Sequence, residues 1–563
     1  MRAGGLAAVA ILVAACGASQ GPAGAVRFRN ASPVWLVNDR KPVAKAPRRR
    51  DFNRLLYNTD GYIVRAATRA MEVRRSRRAL DVNSLDEVPD STWFTNRIGV
   101  RDLTLAELRA GPTTEASPID HRPWTITGAK VGGKAVGFVF ADTRGYRYLL
   151  KFDMKEAPEM ETGAHVIANR IFSAIGYNVP QDYLAKIRRE DLVIAPDATK
   201  KASRGRKVPL TAEDVDRALA TVAVDDDGGI RALVSRFVPG EPLGGYPMEG
   251  TRPDDPNDLI PHQRRRSIRG QYAIFAWLNH ADIKEDNTLD AYVADPAHPD
   301  RHHVLHYLVD FGIAFGGNGR LKHRRTVGHT YLIDVGRALP ALLGLGLWRR
   351  PWEKVDAPAY RGVGLYEAAS YDPGAWRANT RYWPLEDKDR FDAFWGAKLL
   401  IRFTRDQLAA IVDEARYSDP RAARYMVDTL VARQKKTARY WFARVAPLDR
   451  FAVEREGRGA GLRVCFDDLM LTYSLASVAA GTRYDIEAFD QAGRSTTAAR
   501  VIAPDRTGRT CVADIVPGTA DDGYTIVRFT LRRSARGRAL PPVLLHLARD
   551  AAGTHRVIGL RRE

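Results

Sequence analysis

Apolar residues recur at helical spacing in Ile268, Tyr272, Phe275 and Leu278, a pattern that predicts a buried helix ending at Asn279 and His280. Two short strand-like runs follow, 290–294 and 304–309, with the turn-rich stretch 295–303 between them, so a hairpin is expected. Upstream, residues 146–153 alternate: Tyr146, Tyr148, Leu150 and Phe152 share one face of a strand, and Leu149 and Lys151 take the other. The next segment sets Ala164, Ala168, Ile171 and Ile175 on one helical face, with Glu161 one turn earlier on the same stripe. Residues 124–142 read as two strands around a glycine-containing turn, and 232–238 as a further strand leading into a hinge.

Thr404 and Gln407 form a capping-box pattern that opens a helix through Ala415, and Ser418-Asp419-Pro420 opens another running to Val445. On the latter, Val427, Leu430 and Val431 are expected to face inward and Arg433, Lys435 and Lys436 to meet solvent. Beyond Pro447, runs at 462–472, 483–490, 524–532 and 541–547 with Gly or Asp at the turns predict an all-β sandwich. The chain is therefore α+β, divided as a leader (1–15), a tether (16–50), a helical extension (51–121), a small lobe (122–240), a large lobe (241–450) and the sandwich (451–563). In the extension, Pro89, Trp93 and Phe94 are expected to pack against the small lobe.

Composition supports this division. With 45% hydrophobic and 27% charged residues over 563 positions, the chain falls outside the disordered class and holds about three domains.

The chemistry concentrates in residues 280–287, HADIKEDN, followed by DFG at 310–312. The hairpin returns Asp310 beside Asn287, and a carboxylate with an amide oxygen suits a hard cation such as Mg2+ or Mn2+. Asp282 is then free to orient or deprotonate an attacking hydroxyl, and Lys284 can neutralise a transferring phosphoryl group. On the strand 146–153, Lys151 is the candidate for the phosphate-gripping lysine, with its carboxylate partner, that a resemblance to the protein-kinase-like superfamily implies. Glu161 is its expected carboxylate partner, with Glu156 or Glu159 as alternatives. Gly128, Gly132 and Gly133 are flexible points at which backbone amides can approach phosphate oxygens, although their spacing is not GxGxxG. Lys130 and Lys134 either add positive charge there or are solvated turn residues. His298, His302, His303 and His306 cluster beside DFG, and a polar hairpin tip explains them better than a metal site.

These motifs resemble those of the protein-kinase-like superfamily, in which HADIKEDN stands where the family has HRDLKPEN and Ala281 replaces the arginine. The run from Glu161 to Pro180, ending IGYNVP, is similar to HipA-type kinases. Without an Ala-Pro-Glu motif after DFG, the chain resembles atypical branches: HipA-type, spore-coat CotH, secretory-pathway and phosphatidylinositol kinases. The resemblance covers roughly residues 122–450 and implies a bilobal kinase-like fold, ATP as cofactor and phosphoryl transfer to a protein, lipid, glycan or small-molecule hydroxyl. A non-catalytic kinase-fold scaffold and an AMP-transferring enzyme are the alternatives.

The amino terminus suggests where this happens. Met1 and Arg2 precede an apolar run, 3–15, too short to span a bilayer but suited to a signal peptide. Val13-Ala14-Ala15-Cys16 is similar to a bacterial lipobox, which implies lipidation at Cys16, and Gly17 is in keeping with sorting to the outer membrane of a bacterial cell envelope. An ordinary signal peptide cut elsewhere is the other reading. The two remaining cysteines, Cys465 and Cys511, lie in strand-like runs and are either an export-compartment disulfide or two buried thiols. The net charge of +20, with arginine runs at 48–50, 74–75 and 77–78, suits anionic headgroups near the anchor, and codon bias alone can also produce it. No nucleic-acid motif accompanies that charge, so nucleic acid is not an expected partner; a protein partner at the sandwich is.

Overall fold

The computed structural model describes residues 27–72, 77–130, 136–202, 206–317, 325–334, 350–455, 461–477, 481–505, 508–534 and 537–563. Cys16, Gly132, Gly133, Lys134, Arg74 and Arg75 lie outside them. The chain divides into two compact units: one of Trp35–Val82 with Val88–Trp441, the other of Met1–Val34, Asn83–Glu87 and Phe442–Glu563.

In the larger unit a seven-stranded sheet is built from β1 (Trp124–Ala129), β2 (Gly137–Ala141), β3 (Arg147–Phe152), β4 (Asp182–Ile187), β5 (Leu192–Lys201), β6 (Lys207–Pro209) and β7 (Ile230–Arg236), in the order β4-β7-β3-β2-β1-β5-β6. Its pairings are antiparallel except β1 with β5. The alternation of β3 comes out as the pattern predicts. Tyr148, Leu150 and Phe152 are buried in a core shared with Trp124, Phe140 and Val234, while Lys151 and Leu149 line a cavity on the other face.

The helix Met160–Ile175 follows β3 after only a short connection, and its start is secured by Asp153. The Asp153 carboxylate accepts the backbone N–H groups of Glu161 (2.9 Å) and Thr162 (3.0 Å) and the Thr162 hydroxyl (2.5 Å), the role of an N-cap played from the end of the preceding strand. Lys151 and Glu161 are thus fixed to one another through a buried carboxylate. The helix stops at Gly176, at φ 138°, where a Cβ would come within 2.3 Å of the Thr95 carbonyl oxygen.

The hairpin and its preceding helix also form as expected. Helix Gln271–Leu278 is buried along its whole length and ends at Asn279, in the left-handed conformation at φ 47°. Strands β8 (Glu241–Gly244), β9 (Thr288–Asp295) and β10 (His298–Leu308) make a second sheet in the order β10-β9-β8. Helices Arg390–Leu400, Arg405–Asp413 and Pro420–Phe442 complete this half, and the Thr404–Gln407 capping box is present.

Four expectations are corrected here. Arg433 is buried, donating to the carbonyls of Trp277, Ala276 and Glu367, because the buried carbonyls at the end of helix Gln271–Leu278 need a donor. Trp93 stacks on His306 of the large lobe at 3.5 Å instead of on the small lobe, whereas Phe94 packs on Tyr177 of the small lobe as expected and on Trp395 as well. His306 is no part of a polar tip: it is buried with Nδ1 2.6 Å from Asp290. The described part of the expected tether is not free chain, since Val43 donates to the His302 carbonyl and Arg50 to that of Leu243.

The smaller unit is two antiparallel sheets, β11 (Leu448–Arg455), β12 (Leu462–Asp468) and β15 (Arg509–Ile515) in one, and β13 (Arg483–Asp490), β14 (Ser495–Ile502), β16 (Thr525–Arg532), β17 (Val543–Arg549) and β18 (His555–Arg562) in the other. Leu448, Val464 and Phe466 from the first share a core with Ile486, Val527 and Phe529 from the second, the mark of a sandwich. Cys465 and Cys511 sit opposite one another in the β12–β15 register and are disulfide-bonded, which settles the alternative of two thiols. No helix among the described residues is long and apolar enough to cross a membrane.

Candidate active site

The loop 280–287 is held from behind by apolar packing. His280 is buried, its backbone N–H donates to the Phe275 carbonyl (2.9 Å), and its ring lies against Phe275 and Phe311. Burial pushes its pKa down to about 4, so the ring is neutral at physiological pH and acts as a spacer under the loop. At the loop's far end the Val309 N–H donates to the Asn287 carbonyl (3.0 Å), which closes the hairpin and delivers Asp310 beside Asn287.

Lys151, Glu161, Asp282, Lys284, Asn287 and Asp310 all line one cavity of about 1320 Å³. Lys151 Nζ lies 2.7 Å from Asp310 Oδ1, and Lys284 Nζ 2.8 Å from Asp282 Oδ2. The Asn287 amide nitrogen donates to the Asp282 backbone carbonyl and, at 3.1 Å, to its carboxylate. Its Oδ1 is thereby left as the atom that can face a cation. Gly128 lies inside β1 at a register shift, paired with Val139 and Thr199, beside the lining residues Ala129 and Lys130.

Lys151 is thus ion-paired with Asp310. Glu161 lines the same cavity; Glu159 is taken by Arg361 (3.0 Å) and the Ser418 N–H (3.0 Å), and Glu156 is exposed. Burial pushes the Asp310 pKa up, but 46% of its side chain remains exposed, and the charges of Lys151, His165 and Lys130 hold the carboxyl well below the usual carboxylate range. The Lys130 pKa is lowered by burial and by Lys151, against the pull of Asp310 and Glu161. The floor of the cavity is thus a set of mutually compensating charges, anionic where a cation would sit and cationic where phosphates would lie.

Asn287 and Asp310 offer the hard oxygen donors that Mg2+ prefers, so the donor set fits such an ion. Sequence reasoning missed two contributors. His165, one turn past Glu161, lines the cavity with Nε2 2.9 Å from the buried Asp182, and its place on the Glu161 stripe was a legible signal. Arg49, Phe52, Arg54 and Tyr57 reach the cavity from a segment remote in sequence, for which no local pattern exists.

No family model matches the chain, and no curated protein matches it. Among solved structures, a Golgi casein kinase with Mn/ADP bound is similar at 12% identity, covering 71% of this chain and 94% of that one, with a TM-score of 0.29. A second structure of the Golgi casein kinase is similar at 11% identity, covering 60% and 72%, with a TM-score of 0.26. Scores this low do not establish a shared fold.

Proposed function

We propose that this chain is an ATP- and Mg2+-dependent phosphotransferase of atypical kinase type. The observation that supports it best is the gathering of Lys151, Asp282, Lys284, Asn287 and Asp310 in one cavity, with Lys151 on Asp310 and Asn287 on Asp282. Asn287 and Asp310 would hold Mg2+, which would supply positive charge to offset that of the nucleotide phosphates. Lys151 would bind the phosphates, exchanging its Asp310 contact for theirs, and Glu161 would hold it in place. Asp282 would accept the acceptor hydroxyl's proton as that oxygen bonds to phosphorus and the bond to the leaving nucleotide breaks, while Lys284 would offset charge on the transferring group.

The reading includes an envelope location through lipid on Cys16. The Cys465–Cys511 disulfide supports an oxidising compartment. Intact-mass measurement after incubation with Mg2+ and ATP tests the chemistry, beside an Asp310→Asn control. A phosphate-sized gain absent from the control is expected; an AMP-sized gain would replace phosphoryl by nucleotidyl transfer. Absence of any nucleotide binding would leave the scaffold reading.

A further inference from the structure

A second cavity, of about 710 Å³, lies at the other end of the Met160–Ile175 helix from Glu161; it adjoins the first through Pro180, Arg236, Phe237 and Val238, which line both, and shares no catalytic residue with it. Its size falls in the range of small-molecule sites. Four guanidiniums line it, those of Arg97, Arg101, Arg170 and Arg236, against two carboxylates, Glu107 and Glu115. Both carboxylates are engaged: Glu107 with Arg101 at 2.6 Å and Glu115 with Arg236 at 3.1 Å. The other two arginines have longer-range anionic partners, Asp90 for Arg97 and Glu414 and Asp182 for Arg170. Arg97 has no carboxylate within ion-pair distance among the described residues and donates only to the carbonyls of Ser173 and Tyr177. Burial lowers its pKa, against the pull of the Asp90 carboxylate and with a smaller push from Arg101. Arg170 is 6% exposed, donates through Nε to the Arg109 carbonyl (2.7 Å) and forms an ion pair with Glu414 at 3.7 Å. Its buried Nη1 has no hydrogen-bond acceptor among the described residues. A buried charged donor without an acceptor is costly, and an anion in the cavity would supply one.

We propose that this cavity is a binding site for a small phosphorylated molecule, held by the guanidinium forks of Arg97 and Arg170 with Arg101 and Arg236 at its edge. Planar guanidiniums match phosphoryl oxygens two bonds at a time, and burial strengthens those bonds. The site stands whether or not the larger cavity is catalytic.

Calorimetric titration with inorganic pyrophosphate tests it. Because pyrophosphate can also enter the larger cavity, the titration is run on the full chain carrying Lys151→Met. Binding is expected to persist there and to weaken at least about tenfold when Arg97→Gln is added. Arg97 also ties the end of a helix, so Arg101→Glu, at an exposed position, is run in parallel and is expected to weaken binding severalfold with an unchanged melting temperature. Binding abolished by Lys151→Met alone, or unaltered by both arginine substitutions, would overturn the proposal, as would no binding at all.

Discussion

Substituting Lys151 by Met keeps the length of the side chain on β3 but strips Asp310 of the cation 2.7 Å away. A fully buried pair broken in this way costs about 3–5 kcal/mol. Here the Lys151 side chain is 11% exposed and that of Asp310 46% exposed, so solvent screens the orphaned carboxylate and the loss of stability should be about 1–2 kcal/mol. The effect on nucleotide binding should be larger. One charge-assisted hydrogen bond to phosphate contributes about 1.5–3 kcal/mol, and its loss weakens affinity about 10- to 150-fold. The lower end is expected, because Lys151 gives up its Asp310 contact when it binds phosphate. Calorimetry with Mg2+ and ATP, alongside thermal unfolding, reads both quantities. An affinity within about twofold of the unsubstituted chain, with the fold intact, would refute a phosphate-gripping role for Lys151. The Asp310 partner is better tested with Asn than with Ala, since Asp310 has φ 64° and Asn tolerates that region.

Three further outcomes are expected. Asp153→Ala removes the cap of the Glu161 helix and should cost about 2 kcal/mol by denaturant unfolding, with weakened nucleotide binding because Glu161 shifts; unchanged stability would sink that cap. Replacing Cys465 and Cys511 by serine frees a loop of 46 residues and should destabilise the sandwich by about 4 kcal/mol on the chain-entropy account, read as a lowered unfolding midpoint that chemical reduction reproduces in the native protein. His280 and His546 are buried with pKa values pushed down to about 4, so the unfolded chain binds more protons between there and 6.5. The stability each confers is complete above pH 6.5 and is lost as pH falls toward 4, by up to about 3 kcal/mol per group; a pH-independent unfolding midpoint across that window would contradict it.

Local patterns carried much of the architecture. The strand with Lys151, the helix with Glu161 and the hairpin that returns Asp310 each follow from periodicity within a dozen residues, and the structure brings their side chains into one cavity. What escaped is nonlocal. Arg433 reads as solvated because its carbonyl acceptors come from residues 276, 277 and 367, far away in sequence. Trp93 finds His306 across more than half the length of the larger unit, and the segment carrying Arg49 and Phe52 has no periodicity that would point it at the cavity. The Lys151–Asp310 ion pair joins two elements far apart in sequence, a contact that no single-element pattern encodes.

The most direct test of the central claim is ³¹P NMR of ATP and Mg2+ incubated with the purified protein and, in parallel, with Asp282→Asn and Asp310→Asn. The account predicts conversion of ATP to ADP by the unsubstituted protein, strongly slowed in both variants. ATP that remains intact, or is consumed equally by all three proteins, would contradict it.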